Sequence, residues 1–428
     1  MIKLNQIIKK CNSIVYNFSY SEKLNNYFSG KNFLIEYPEN IESVPDAILA
    51  VPFVCNVLPI VWLEDIELII PELDEDFYNS IPNFKKGYVD MYPDADFRGS
   101  VTVKKIVNCR KDNRFGSAAF FSGGVDATTT LLRHLDEKPD LISIWGSDIT
   151  FDNVEGWKPI QNAIDATAEE YHVKHINIHS SFRQFDKEWE LDKAHREKLN
   201  DGWWHGVKHG IGLISHAAPY AWLHNLSTIY IASTYSPADG KITSASYPTI
   251  DNNVRFCGVS IVHDGFEMCR QDKIRYVIQY HKKHPDRKIH FHVCWESSDG
   301  GNCCNCEKCY RTMVALWVEG EDPCLFGFEY SEDIFSCIYK KMALNYNYPP
   351  HISAEWKHIQ DGFIYNEKDL KRTDYFKKLK WLKGFDFLNP EENLCRKWYR
   401  IKTFKDIRCI LSNFKFYQKL HELKMKTE

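Results

Sequence analysis

The chain has 428 residues, room for two or three domains, and its 44% hydrophobic and 14% aromatic content excludes a disordered or fibrous protein. A net charge of −4 says little about partners. The charge is uneven, though: from Lys368 to Glu428, 17 Lys/Arg stand against 8 Asp/Glu. An acidic body therefore carries a basic tail, to be read as solvated helix faces or as a surface for nucleic acid or a protein partner.

Met1 to Cys11 mixes Lys3, Lys9 and Lys10 with isolated apolar residues and carries no export signal, so a cytoplasmic chain is expected. The most apolar window, Ala47 to Leu63, is short for a bilayer and interrupted by Pro52, Asn56 and Pro59. It reads as buried strands or a core segment, with no membrane partner. Residues 1–112 as a whole, with short apolar runs between prolines, suggest an accessory α+β region.

From about 115 the pattern alternates. A strand is expected over 117–121, a helix to about 135 and a strand over Leu141–Trp145. A helix follows over 156–171, with Trp157, Ile160, Ile164 and Ala168 at helical spacing, then a strand over His175–Ile178. A helix near 205–225 precedes a strand at Thr228–Ala232. Alternation of this kind predicts an α/β fold with a doubly wound parallel sheet, whose ligands lie beyond the carboxyl ends of the strands. Ser122, Gly146-Ser147-Asp148, His179-Ser180 and Ser233-Thr234 occupy those ends. The remainder, 317–428, reads as a helical basic region in which Trp, Tyr and Lys interleave.

The first strand runs into Ser122-Gly123-Gly124-Val125-Asp126. Two glycines let the backbone approach an anion, and the N–H groups of the following helical turn can point at it. The bland alternative is a turn without a ligand. Asp126 is either a carboxylate for Mg²⁺ or a helix cap. Further on, Cys269-Arg270-Gln271-Asp272-Lys273 opens another helix after His263-Asp264-Gly265. Arg270 and Lys273 are either phosphate-facing cations or a surface pair. Between them in sequence, Trp203-Trp204-His205-Gly206-Val207-Lys208-His209 offers aromatic faces for a ring, or else a packed helix start.

Five of the 14 cysteines fall between Cys294 and Cys309. Cys294, Cys303, Cys306 and Cys309 give C-x8-C-x2-C-x2-C, a closed thiolate set that suits a structural Zn²⁺, with an iron–sulfur cluster as the competitor. Cys304 can substitute for Cys303, and Gly300-Gly301 supplies the bend.

The Ser-Gly-Gly-x-Asp loop resembles the PP-loop of the ATP pyrophosphatases, although Ala127 stands where that family usually has Ser or Thr, with Thr128 next. Joined to the cysteine spacing about 170 residues later, it resembles 7-cyano-7-deazaguanine synthase over Ser117 to Leu316, in an enlarged, divergent branch. Enlarged synthase-like proteins of this kind occur in bacterial antiphage-defence and polysaccharide gene clusters. The resemblance implies a PP-loop ATP-binding domain over 113–316 with its zinc loop at 294–309. It implies ATP, Mg²⁺ and Zn²⁺, a carboxylate substrate of deazapurine type, ammonia as second substrate, a ligase forming C–N bonds, and a homodimer. Ser122, Gly123, Gly124, Val125, Asp126, Gly146, Ser147 and Ser233 would meet ATP, while Asp126, Arg270 and Lys273 would serve catalysis. The competing readings are a PP-loop enzyme that modifies RNA, favoured by the basic tail, and a non-catalytic nucleotide-binding subunit, favoured by Ala127.

Overall fold

The structure, a computed structural model, describes residues 1–294, 296–297 and 301–412. The bend expected at Gly300 and the tail beyond 412 lie outside the described residues. Two compact units emerge, one of Met1–Cys303 with Leu325–Phe328, the other of Cys304–Cys324 with Glu329–Glu428.

The first unit is built on one large, mostly parallel sheet. Its strands in chain order are β1 (Ile2–Lys10), β2 (Ser13–Tyr20), β3 (Phe33–Glu36), β4 (Glu67–Asp74), β5 (Ser100–Val107) and β6 (Ser117–Phe120). The chain continues through β7 (Asp140–Trp145), β8 (His175–Ser180), β9 (Thr228–Ala232), β10 (Arg255–Phe256) and β11 (Val259–Asp264). Their spatial order is β10-β11-β9-β6-β7-β8-β3-β2-β1-β4-β5. Strands β11, β9, β6, β7 and β8 are parallel neighbours. They match the expected alternation, and their apolar runs are buried, as in Leu141-Ile142 and Ile229.

The first 112 residues are not a separate body. β3 pairs antiparallel with β8 through Ile35↔Ser180 and Glu36↔His179, and this joins β1–β5 to the same sheet. Two register pairs far apart in sequence make that join, and no local pattern announces it.

Of the two expectations for Ala47–Leu63, the core segment holds and the strands do not: it is a buried helix, α1 (Asp46–Leu63). Pro52 and Pro59 each remove an intrahelical N–H, which costs roughly 3 kcal/mol apiece. Against that, every residue from Ala47 to Trp62 is buried, and each large apolar side chain contributes about 1.5–3 kcal/mol. Burial wins, and Asn56 Nδ2 donates to the Pro52 carbonyl at 2.8 Å. By length and composition α1 is the one helix among the described residues able to cross a membrane; 89% of it is buried inside the protein.

Further helices of this unit are α2 (Glu75–Met91), α3 (Val125–Arg133), α4 (Val154–Tyr171), α5 (Glu188–Leu199), α6 (His209–Ser215), α7 (Ala217–Leu223), α8 (Pro248–Asp251) and α9 (Arg270–Lys283). The helix expected near 205–225 is broken: Trp204–Lys208 forms a π-helical turn ahead of α6 and α7.

The described residues of the second unit are helical, but the unit begins at Cys304, ahead of the helical region expected over 317–428. Helix α10 (Glu307–Val318) is buried along nearly its whole length. Its Glu307 and Arg311 form an ion pair at 3.2 Å, Arg311 also pairs with Glu355, and Trp356 Nε1 donates to Glu307 at 2.8 Å.

Candidate functional site

The chain runs β6, β7, β8 in one direction across the sheet, then places β9 on the other side of β6. The crevice beyond the carboxyl ends of β6 and β9 is therefore the switch point at which such sheets bind ligands. Ser122–Gly124 follow β6 there, and Ser233 follows β9.

Gly123 adopts φ +77°, a region that favours glycine. A Cβ on it would lie 3.1 Å from His292 Cβ, and the His292 N–H donates to the Gly123 carbonyl at 2.8 Å. Gly124 is the N-cap of α3 and brings no capping side chain. The N-terminus of α3 thus opens beside a loop in which only exposed Ser122 carries a side chain. Thr128 is buried, and among the described residues its Oγ1 has no hydrogen-bond partner. A buried hydroxyl without a partner costs about 1–3 kcal/mol. This is the hydroxyl displaced by one residue from the position held by Ala127.

Asp126 is not a cap. It sits in the first turn of α3 and faces two cations from the start of α9. Arg270 Nη2 donates to Asp126 Oδ2 at 2.7 Å, and Lys273 Nζ to Asp126 Oδ1 at 3.1 Å. Lys273 also donates to the Ser233 carbonyl. The side chains are 15% (Asp126), 7% (Arg270) and 1% (Lys273) exposed, so this is no ordinary surface pair. Residues 144 and 147 apart in sequence meet in one charge cluster beside the glycine loop.

Gly146 and Ser147 serve the corner between β7 and β8. Gly146 has φ +112°, and a Cβ there would stand 1.8 Å from the Ser180 carbonyl oxygen. The Ser147 carbonyl accepts from Arg183 Nη1 at 2.9 Å. Val125 is fully buried at the first position of α3, and Ser233 Oγ donates to the Tyr235 carbonyl at 2.5 Å. Asp264 and His263 act as anchors: Asp264 accepts from Thr130 Oγ1 at 2.8 Å and pairs with Arg133 at 3.3 Å, while His263 Nδ1 meets Asp251 at 2.8 Å.

The tryptophans fit the packed reading. Trp203 is buried, and the Arg183 guanidinium covers one Trp204 face at 4.0 Å. Lys208, in the π turn, is fully buried; its Nζ meets the Phe182 carbonyl at 2.8 Å, Asp186 at 2.6 Å and Glu188 at 3.4 Å. Burial pushes the Asp186 carboxyl up to about 6 despite the opposing Lys208 charge. Arg183 and Tyr235 carried no sequence signal, because their partners lie on other elements.

Another constellation resembles a hydrolytic triad. His175 lies 2.6 Å from both Ser143 Oγ and Asp165 Oδ1. Ser143 is buried inside the β7 ladder and His175 opens β8, at the end of the sheet away from the glycine loop. A ladder strand leaves no room for a carbonyl beside Ser143 Oγ, so these contacts tie α4 to the sheet.

Cys294, Cys303, Cys306 and Cys309 offer sulfur atoms that all lie within 4.8 Å of one another. Zn–S bonds of about 2.3 Å require sulfurs about 3.8 Å apart in a tetrahedron, so the set can hold a metal such as zinc with a small contraction. Cys303, not Cys304, joins the group; Cys304 adopts φ +48°. Cys306 is the N-cap of α10, and its Sγ accepts from the Cys309 N–H at 3.4 Å. Asn302 fixes the loop by accepting from Val293 N at 3.0 Å and donating to the Phe291 and Gly327 carbonyls at 2.7 and 3.0 Å.

No protein family, curated protein or solved structure matches this chain.

Proposed function

We propose that the chain is a PP-loop enzyme that adenylates a carboxylate at the expense of ATP, releasing pyrophosphate, and passes the acyl group to an amine. The observation that carries this reading is the buried Asp126–Arg270–Lys273 cluster beside the Gly123-Gly124 loop at the switch point. In the proposed step a substrate carboxylate oxygen bonds to the α-phosphorus, the bond from that phosphorus to the bridging oxygen breaks, and pyrophosphate leaves. Backbone N–H groups at the start of α3 would hold the leaving phosphates, and Arg270 and Lys273 would neutralise their charge. Asp126 orients both cations. Its two oxygens each face one of them, a donor set that does not fit Mg²⁺.

Zinc at the four cysteines would be structural, since four thiolates leave no open position. A deazapurine carboxylate is the substrate class that the synthase resemblance favours, with ammonia as the amine. The test is pyrophosphate release from ATP by zinc-replete protein, with and without purine and deazapurine carboxylates. Release that depends on one carboxylate and disappears in Asp126→Ala supports the reading. Absence of release with every carboxylate overturns it.

A further inference from the structure

Asp201, His205 and Tyr235 form a hydrogen-bonded chain that the adenylation step does not use. His205 Nδ1 lies 2.9 and 3.0 Å from the two Asp201 oxygens, and His205 Nε2 lies 3.0 Å from the Tyr235 hydroxyl. The Asp201 end is fixed by Thr243 Oγ1 at 2.7 Å and by the Gly202 N–H at 2.6 Å. Burial pushes the Asp201 carboxyl up, but its bonds from His205, Thr243 and Gly202 prevail and hold it below the usual range. Asp201 therefore stays a carboxylate that holds Nδ1–H and leaves Nε2 to accept from Tyr235.

Members of this chain differ in exposure. His205 has 45% of its side chain exposed, whereas Tyr235 is buried. Tyr235 follows β9 on the loop of Ser233, whose carbonyl receives Lys273 and whose hydroxyl bonds the Tyr235 carbonyl. The side-chain contacts thus link a residue of that loop to a ring that reaches solvent.

We infer that Asp201–His205–Tyr235 is a proton relay for the second half-reaction, transfer of the activated acyl group to an amine; this rests on the adenylation reading. The amine nitrogen forms a bond to the acyl carbon, and the carbon–oxygen bond to AMP breaks with its electrons leaving on AMP. The proton shed by nitrogen passes to the Tyr235 oxygen as the Tyr235 proton moves to His205 Nε2. Asp201 stabilises the imidazolium, and the exposed ring returns the proton to water.

The test uses His205→Gln and Tyr235→Phe in the full-length, zinc-replete chain. Purine and deazapurine carboxylates are screened for carboxylate-dependent ATP–pyrophosphate exchange. Transfer to ammonium and to hydroxylamine is then measured on the carboxylate that supports exchange. Hydroxylamine is largely neutral at pH 7 and needs less help from a base. The expected result is a fall in ammonium transfer relative to exchange by about 10²-fold or more in both variants. Hydroxylamine transfer should fall far less, which a merely structural role would not produce. Exchange that persists with unchanged ammonium transfer in both variants overturns the relay and leaves adenylation standing. Absence of exchange in the unmodified chain overturns both.

Discussion

Two buried lysines sit near the carboxyl edge of the same sheet, and they differ in what surrounds them. Lys208 is enclosed, with Phe182, Asp186 and Glu188 all within reach of its three donors. Lys273 meets the Ser233 carbonyl and Asp126, which stands in the first turn of α3 just after the glycine loop. On the adenylation reading, the difference separates a charge kept for packing from one kept for a ligand. A buried ion pair alone says little, since structural networks and active sites both contain them.

The largest expected effect is on the enclosed side. Lys208→Met leaves Asp186 buried without its cation and should lower unfolding stability by about 3–5 kcal/mol, read by urea denaturation. The loss should shrink in acid, where Asp186 takes up a proton. Lys273→Met should instead lower carboxylate-dependent pyrophosphate release by roughly 10²–10³-fold, with a smaller change in urea midpoint. Equal destabilisation by both substitutions, with unchanged turnover in Lys273→Met, would erase the distinction.

His216 sharpens the enclosed side. Burial lowers its pKa to about 4, while its ring accepts from Ser180 Oγ at 2.8 Å and donates to the Gly212 carbonyl at 2.7 Å. A histidine held neutral in the fold takes up a proton more readily when unfolded. Its contribution is thus present above the unfolded pKa near 6.5 and is lost as pH falls from there toward 4. The shift corresponds to about 3 kcal/mol, and His216→Asn should flatten the stability profile across that window. The smallest effect belongs to the open side. Gly123→Ala forces a left-handed residue against His292 and should cost about 1–2 kcal/mol of stability while weakening ATP binding, both measurable by thermal shift with and without nucleotide.

The same contrast explains what could be read before folding. The glycine loop, the alternating strands and the cysteine spacing are local, and each was visible in the chain. Arg270 and Lys273 were legible as types at a helix start, but their pairing with Asp126 required the sheet to bring α3 and α9 together. Lys208 looked like one more basic residue in a Gly-rich helix start, because Asp186 and Glu188 lie 22 and 20 residues away. The prolines of α1 left strands and a core segment both open, because the burial that offsets them comes from the rest of the core. The sharing of one sheet by β1–β5 was hidden for a similar reason, as it depends on two residues of β3 meeting the end of β8.

The hydrogen bond from His292 to Gly123 has a consequence for metal supply. Cys294 lies two residues beyond His292, so the segment that begins the sulfur group is fastened to the loop proposed to hold phosphate. Linkage between two sites is reciprocal: whatever factor zinc adds to nucleotide affinity, nucleotide adds to zinc affinity. On the adenylation reading, a positive coupling would let bound nucleotide protect the metal from chelators.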